Sequence, residues 1–152
     1  MKEPLFSKIL KYALYLAFVV GLVGAVTMPF TIDTFYRVFR NAPTLLAEYR
    51  AFIVPFLMVI SVPCLWVVME MILMLRSIPM GPFVQRNVNA LYRIGVVFFG
   101  LAVAFFVWFA TFYNIVVFAG IFFMIGSGLF SFTLAALIRQ AIVFREENDL
   151  TI

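Results

Sequence analysis

The longest stretch without charge is the feature that most limits what this chain can fold into. Residues 94–138 contain no Asp, Glu, Lys or Arg. One membrane-spanning helix needs about 20 apolar residues, so this stretch is too long for one span and fits two spans joined by a tight turn. Its most polar point, Thr-Phe-Tyr-Asn at 111–114, lies near the middle. We therefore predict a third span at about 94–110 and a fourth at about 115–138.

Two further apolar runs precede this stretch, at about 12–30 and about 51–75. The whole chain is 66% hydrophobic and 12% charged. Soluble domains are closer to half apolar and a quarter charged, so the composition indicates a membrane protein whose main solvent is the lipid bilayer. The sequence predicts one all-α domain over 1–152, with four transmembrane helices and a polar C-terminal tail at 139–152.

The basic residues are unevenly divided between the two sides that four spans create. One side carries both termini and the loop between spans two and three, and the other side carries the first loop. The first of these sides holds eight of the eleven Lys and Arg residues: Lys2, Lys8, Lys11, Arg76, Arg86, Arg93, Arg139 and Arg145. The other side holds Arg37, Arg40 and Arg50. The positive-inside rule therefore places both termini in the cytoplasm.

The first two loops each contain apolar residues at helical spacing. In the outer loop, the candidate N-cap residues at 31–34 precede Phe35, Val38 and Phe39, which predicts a short amphipathic helix at the membrane surface. In the inner loop, Pro82 suits a first helical turn, and the helical spacing continues through Leu91. This predicts a second short amphipathic helix, which could continue into the third span.

Two stripes of small residues recur at helical spacing within the spans. The stripe in span one is Ala17, Gly21 and Ala25, and the stripe in span four is Ser127, Ser131 and Ala135. Small side chains let transmembrane helices approach closely. The stripes therefore predict either packing within the chain or contact between two copies in a homodimer.

Glu70 is the only Asp, Glu, Lys or Arg residue inside a predicted span. A carboxylate in the hydrocarbon region is costly unless it is paired, protonated or in contact with water. Arg93 and Arg139 lie at the ends of other spans on the same predicted side, and either could reach it. Three interpretations remain open: a structural pair with one of these arginines, a proton-linked site, and a position that binds a partner.

The chain lacks the combinations of residue types that most catalytic and metal sites need. The chain has no histidine and one cysteine, Cys64. Ser127, which lies between two glycines, therefore has no histidine to activate it, and a His-Glu-x-x-His metal site cannot be present. The basic residues lie mostly at span ends, where they set the topology, and this position does not indicate a nucleic-acid surface. We expect a non-enzymatic protein without cofactor or metal and without direct binding of nucleic acid.

Two stretches of the chain resemble a bacterial family of small four-helix membrane proteins, the domain of unknown function 2975 family. The first stretch has Gly-Pro-Phe at 81–83, Asn-Val at 87–88, Leu91 and Arg-Ile-Gly at 93–95. The second is the ending at 145–152. The resemblance implies a location in the bacterial inner membrane. Members are often encoded beside a small helix-turn-helix regulator of the Cro type, which implies a transcription regulator as the cytoplasmic partner.

The inner loop and the tail lie on the same predicted side and form a mixed-charge surface beside the membrane. Phe83, Asn87 and Leu91 share one helix face because of their i, i+4, i+8 spacing. The candidate partner-binding residues are Phe83, Arg86, Asn87, Leu91, Glu146, Glu147, Asp149, Leu150 and Ile152. The sequence favours a regulatory or interaction protein. Two alternatives stay open: a small homodimeric proton-coupled transporter that uses Glu70, and an accessory membrane subunit without activity of its own.

Overall fold

The described residues form four long α-helices. The computed structural model describes residues 5–40, 47–77, 84–113 and 115–149, with side chains for all of these except 5–6, 35–40, 47–49 and 149. The helices are α1 (Leu5–Arg40), α2 (Ala47–Ser77), α3 (Gln85–Thr111) and α4 (Ile115–Asp149).

Each of these helices contains a segment long and apolar enough to cross a membrane. The segments are Ser7–Thr34, Arg50–Ser77, Gln85–Thr111 and Ile115–Asn148. This confirms the prediction of an all-α protein with four membrane-length helices, and it indicates a multi-pass membrane protein. Helix α3 ends and α4 begins on either side of the polar point at 111–114.

Helix α1 extends further than the sequence predicted. Residues 31–40, expected to form a separate short helix in the first loop, continue α1 without a break. No Gly or Pro follows Pro29 before the end of α1. The hydroxyl groups of Thr27 and Thr31 donate to the carbonyls of Val23 and Thr27, at 2.8 and 3.1 Å, so both polar side chains are satisfied within the helix. Nothing in this segment therefore ends the helix.

The segments at the start of α3 and the end of α4 also belong to the long helices. The described part of the second predicted short helix, from Gln85 onward, forms the first turns of α3, and residues 81–83 lie outside the described residues. The segment 139–149, expected to be a polar tail, continues α4. Ile138 and Ile142 pack one turn apart against the core of this region, which gives this part of α4 a buried face.

The chain divides into two compact units, Met1–Ile72 and Leu73–Ile152. Unit 1 contains α1 and most of α2. A Cβ atom added at Gly21 would lie 3.1 Å from Leu65 Cδ2, so glycine permits the close approach of α1 and α2 at this point. Unit 2 contains the end of α2, together with α3 and α4.

In unit 2, α3 and α4 run antiparallel and contact each other through two glycine–phenylalanine pairs. A Cβ atom added at Gly95 would lie 2.5 Å from the ring of Phe132, and one added at Gly128 would lie 2.8 Å from the ring of Phe99. The two rings stack with their centroids 5.8 Å apart. Each helix carries a glycine one turn before its phenylalanine, so each phenylalanine covers the glycine of the other helix.

The small-residue stripe of span four takes part in the same packing. The Ser131 hydroxyl donates to the Leu91 carbonyl at 2.9 Å, and both Ser131 and Ala135 are buried. This part of the stripe therefore contacts α3 within the same chain, as close packing of transmembrane helices through small residues requires.

Candidate functional site

The charged residues of unit 2 gather at one end, which we call the charged end and define as residues 76–77, 85–93 and 139–148. The end of α2 reaches the start of α3 through Ser77 and Asn87, whose Oγ and Oδ1 atoms are 2.7 Å apart. The end of α4 lies beside the start of α3 because the two helices are antiparallel. Three helix termini therefore meet at the charged end.

The buried pair of Ser77 and Asn87 fixes the geometry of this end. Their exposed fractions are both only 4%. The Ser77 hydroxyl lies 2.7 Å from the Met74 carbonyl as well as from Asn87 Oδ1, and its single hydrogen is donated to one of these oxygens at a time. Because a buried polar group without a partner costs about 1–3 kcal/mol, the pair holds the end of α2 against the start of α3.

An apolar cluster continues this contact between α3 and α4. Val88, Leu91 and Ala135 are buried together. The half-buried side chains packed against this cluster are Met74, Leu134, Ile138 and Ile142. The face of α3 that contains Asn87 and Leu91 is therefore directed into unit 2, where it contacts α2 and α4.

The predicted partner-binding residues have different positions in the structure. Arg86, Glu146 and Glu147 are exposed at the charged end. Asn87 and Leu91 are buried, so a soluble partner would not reach their side chains in this structure. Phe83, Leu150 and Ile152 lie outside the described residues, as does the side chain of Asp149.

The exposed face at the end of α4 forms a groove, which we call the α4 groove. Its lining residues are Arg139, Gln140, Val143, Phe144 and Glu147. Val143 is 45% exposed and Phe144 is 64% exposed. The groove thus combines apolar side chains with a cation, an amide and a carboxylate.

Gln140, Val143 and Phe144 are not among the candidate binding residues predicted from the sequence, because 139–152 was expected to be a polar tail. The signal was the i, i+4 spacing of Gln140 and Phe144, and of Arg139, Val143 and Glu147, which places each set on one face of a helix. The segment also contains no Gly or Pro that would end α4.

Glu70 lies in α2 and is 8% exposed. Such burial separates its carboxyl group from lipid, as the cost of a carboxylate in hydrocarbon requires. Arg93 and Arg139 are both exposed. The pairing of Glu70 with either arginine stays a prediction.

A second polar cluster lies in unit 1, between the α1 and α2 segments that flank the first loop. Arg50 Nη1 is 3.4 Å from Asp33 Oδ2, and Arg50 Nη2 donates to the Pro29 carbonyl at 3.2 Å. In the sequence, Arg50 contributed only to the prediction of topology. The signal for this pair was the presence of opposite charges near the facing ends of consecutive spans.

Among the described residues, no three His, Cys, Asp or Glu side chains lie close enough together to hold a metal ion. No protein-family model, curated protein or solved structure matches the chain.

Proposed function

We propose that this protein is a non-enzymatic regulatory membrane protein whose charged end binds a soluble cytoplasmic protein. The proposal places it in the bacterial inner membrane, with both termini in the cytoplasm. The partner that best fits is a helix-turn-helix transcription regulator. The class of partner comes from the resemblance to the domain of unknown function 2975 family, to which we propose the chain belongs.

The observation that carries the proposal is the exposed apolar face on α4 beyond the length of a membrane span. At about 1.5 Å per residue, Phe144 lies roughly 44 Å along the axis from the first residue of α4. The hydrocarbon core is about 30 Å thick, and the bilayer with its headgroups is about 40–45 Å thick. If α4 enters the membrane at its start, Phe144 reaches the aqueous boundary, where it forms with Val143 and the neighbouring charged residues a surface that suits a protein partner.

The charges around this face suit a soluble protein as the partner. Arg86, Arg139, Glu146 and Glu147 are exposed at the charged end and carry both signs of charge. A surface of this kind, with Phe144 as an apolar anchor and charges around it, resembles the arrangement of protein–protein interfaces.

The proposed short amphipathic segments, at 31–40 and at the start of α3, would lie at the two membrane surfaces.

The orientation rests on the eight-to-three distribution of basic residues, and reporter fusions test it. A reporter fused after Arg50 should report the outer side, and one fused after Ile152 should report the cytoplasm. Two fusions that report the same side, or an external C-terminus, would contradict the topology and with it a cytoplasmic charged end.

The partner proposal is tested by purification from bacterial membranes with two substitutions at one position. Phe144→Glu places a charge in the wall of the α4 groove, and we expect it to abolish copurification of a helix-turn-helix protein. Phe144→Leu keeps an apolar side chain and should retain the partner. Membrane insertion and the melting temperature of both variants serve as folding controls. If Phe144→Glu is stable and retains the partner, the α4 groove is not the binding surface.

The burial of Glu70 favours one alternative, a small homodimeric transporter that uses this carboxyl group as a proton site. Glu70→Gln would then abolish proton-coupled uptake into vesicles while the protein remained folded. If Glu70 is structural, the same variant should lower the melting temperature because its interaction partner loses the charge. Wild-type vesicles without proton-coupled uptake of any offered substrate would favour the structural role.

A further inference from the structure

Unit 1 contains a groove between α1 and α2 that differs from the α4 groove in position and chemistry. It is lined by Pro29, Arg50, Ala51, Val54 and Pro55 and has a volume of about 400 Å³. This volume lies within the range of about 300–1,000 Å³ that is typical of small-molecule sites. We call it the proline groove, because one proline from each helix lies in its wall.

The proline groove is charged at one end and apolar along its length. The ion pair of Arg50 and Asp33 lies at the end nearest the first loop, with side chains 49% and 36% exposed. From Arg50, the wall continues down α2 to Pro55, about 7.5 Å along the helix axis. A phospholipid likewise changes from a charged headgroup to hydrocarbon chains, in the direction from the membrane surface to the membrane interior.

Arg50 retains the capacity to bind an anion while it contacts Asp33 and Pro29. A guanidinium group has five N–H donors, and the contacts to the Asp33 carboxylate and the Pro29 carbonyl involve one nitrogen each, Nη1 and Nη2. Since about half of the side chain is exposed, further N–H groups can reach a phosphate. Arginine is well suited to this role because its planar fork binds phosphate oxygens in pairs.

Pro55 removes one backbone hydrogen-bond donor from α2 beside the groove. In a regular helix, the N–H of residue 55 would donate to the carbonyl of Ala51, but proline has no N–H. Ala51 itself lines the groove. The Ala51 carbonyl therefore lacks its usual i+4 donor, and together with the Asp33 carboxylate, 3.4 Å from Arg50, it suits a ligand with both an anionic and a donating cationic group.

We propose that the proline groove binds one phosphatidylethanolamine molecule from the surrounding leaflet. Its phosphate contacts Arg50, its primary ammonium donates to Asp33 and the Ala51 carbonyl, and its glycerol and upper acyl chain lie along Val54 and Pro55. The two-carbon ethanolamine link keeps the two lipid charges close together, as Arg50 and Asp33 are. This inference goes beyond the proposed function and is independent of which side of the membrane the loop faces.

The groups in the proline groove should distinguish phosphatidylethanolamine from two other phospholipids, phosphatidylcholine and phosphatidylglycerol. Phosphatidylcholine has a quaternary ammonium that donates no hydrogen bond, so it does not use the two acceptors. Phosphatidylglycerol has no cation and places its negative charge beside Asp33. We therefore expect selectivity for phosphatidylethanolamine over both.

The test is native mass spectrometry of the full chain, released from mixed micelles that contain equal amounts of the three phospholipids with identical acyl chains. The wild-type protein should retain one phosphatidylethanolamine, with a preference of roughly tenfold, as the loss of one charge-assisted hydrogen bond predicts for its competitors. Asp33→Asn should reduce that preference by a similar factor, and Arg50→Gln should remove retention. Val54→Phe fills the groove while both charges remain, and it should also remove retention.

Lys8→Gln is the matched control, because it removes an exposed positive charge from α1 outside the groove. It should leave the preference unchanged. Size-exclusion profiles identify any variant that does not fold. The result is decided by those of Asp33→Asn, Arg50→Gln and Val54→Phe that do fold. Equal retention of the three phospholipids by the wild-type protein would overturn the proposal. So would a preference that persists in folded Asp33→Asn and Val54→Phe proteins.

Discussion

Helix α1 and the α3–α4 pair have nearly the same apolarity and very different packing. Their most apolar 18-residue windows have mean hydropathies of 2.1 for α1 and 2.3 for both α3 and α4. In the described structure, the most apolar window of α1 has no buried residue, whereas 22% of the corresponding windows of α3 and α4 is buried. Apolar character alone therefore does not decide which transmembrane helices pack closely.

The difference lies in where small residues meet large ones. In a bilayer, lipid is as apolar as leucine, so close packing depends on shape and hydrogen bonds. Gly95 and Gly128 each receive a phenylalanine ring from the other helix, whereas in α1 Gly21 meets only the aliphatic Leu65 and Gly24 has no atom near the position of an added Cβ. The comparison leads to three predictions about stability in detergent, in order of decreasing effect.

The largest expected effect comes from filling the space above Gly95. Gly95→Val should lower the free energy of unfolding by about 1–3 kcal/mol, because the new side chain overlaps the ring of Phe132. Gly24→Val is the matched control, since it makes the same change where nothing lies within 4 Å. Denaturation of both variants in mixed SDS micelles gives the comparison. Equal losses in the two variants would show that the glycine–phenylalanine contacts do not hold unit 2 together.

A smaller effect is expected from the hydrogen bond between α3 and α4. Ser131→Ala removes the donor to the Leu91 carbonyl. Interhelical hydrogen bonds in membrane proteins contribute about 0.6 kcal/mol on average, so the same denaturation assay should show a loss of roughly this size. Thr133→Ala is the control, because the Thr133 hydroxyl bonds only within its own helix, to Leu129. If Ser131→Ala lowers the free energy of unfolding no more than Thr133→Ala does, the contact between α3 and α4 depends on side-chain packing and not on this hydrogen bond.

The smallest effect is expected in unit 1. Asp33→Asn removes the exposed ion pair with Arg50, and such pairs contribute roughly 0.2–0.5 kcal/mol. High salt screens the ion pair, so the difference in the free energy of unfolding between the wild-type and Asp33→Asn proteins should decrease further there. If Asp33→Asn lowers the free energy of unfolding more than Gly95→Val does, in lipid-free detergent, polar contacts stabilise unit 1 at least as much as side-chain packing stabilises unit 2.

The sequence was sufficient to predict the number of membrane-length helices, because each must satisfy its backbone within about 20 apolar residues. It was not sufficient for helix ends. The segments 31–40 and 139–149 are polar enough to be loops, and their helical state follows from the absence of a residue that ends the helix and, in the second segment, from the contacts of Ile138 and Ile142.

The candidate site was predicted only in part for a related reason. The i, i+4, i+8 spacing placed Asn87 and Leu91 on one helix face, but spacing does not determine whether that face meets solvent or another helix. The hydrogen bond to Ser77 and the contact with Ala135 decide that it is buried. Similarly, the Gly-x-x-x-Phe pattern at 95–99 and 128–132 is visible in the sequence, but its register between α3 and α4 is not.

The central claim is that the end of α4 binds a cytoplasmic protein while its apolar part faces lipid. The most direct measurement is photocrosslinking in living bacteria, with a photoreactive phenylalanine analogue at Phe144 or at Phe123, which is 70% exposed in the apolar part of α4. Position 144 should crosslink to a helix-turn-helix protein identified by mass spectrometry, and position 123 should crosslink to lipid. If position 144 crosslinks only to lipid, as position 123 does, the account of the charged end is contradicted.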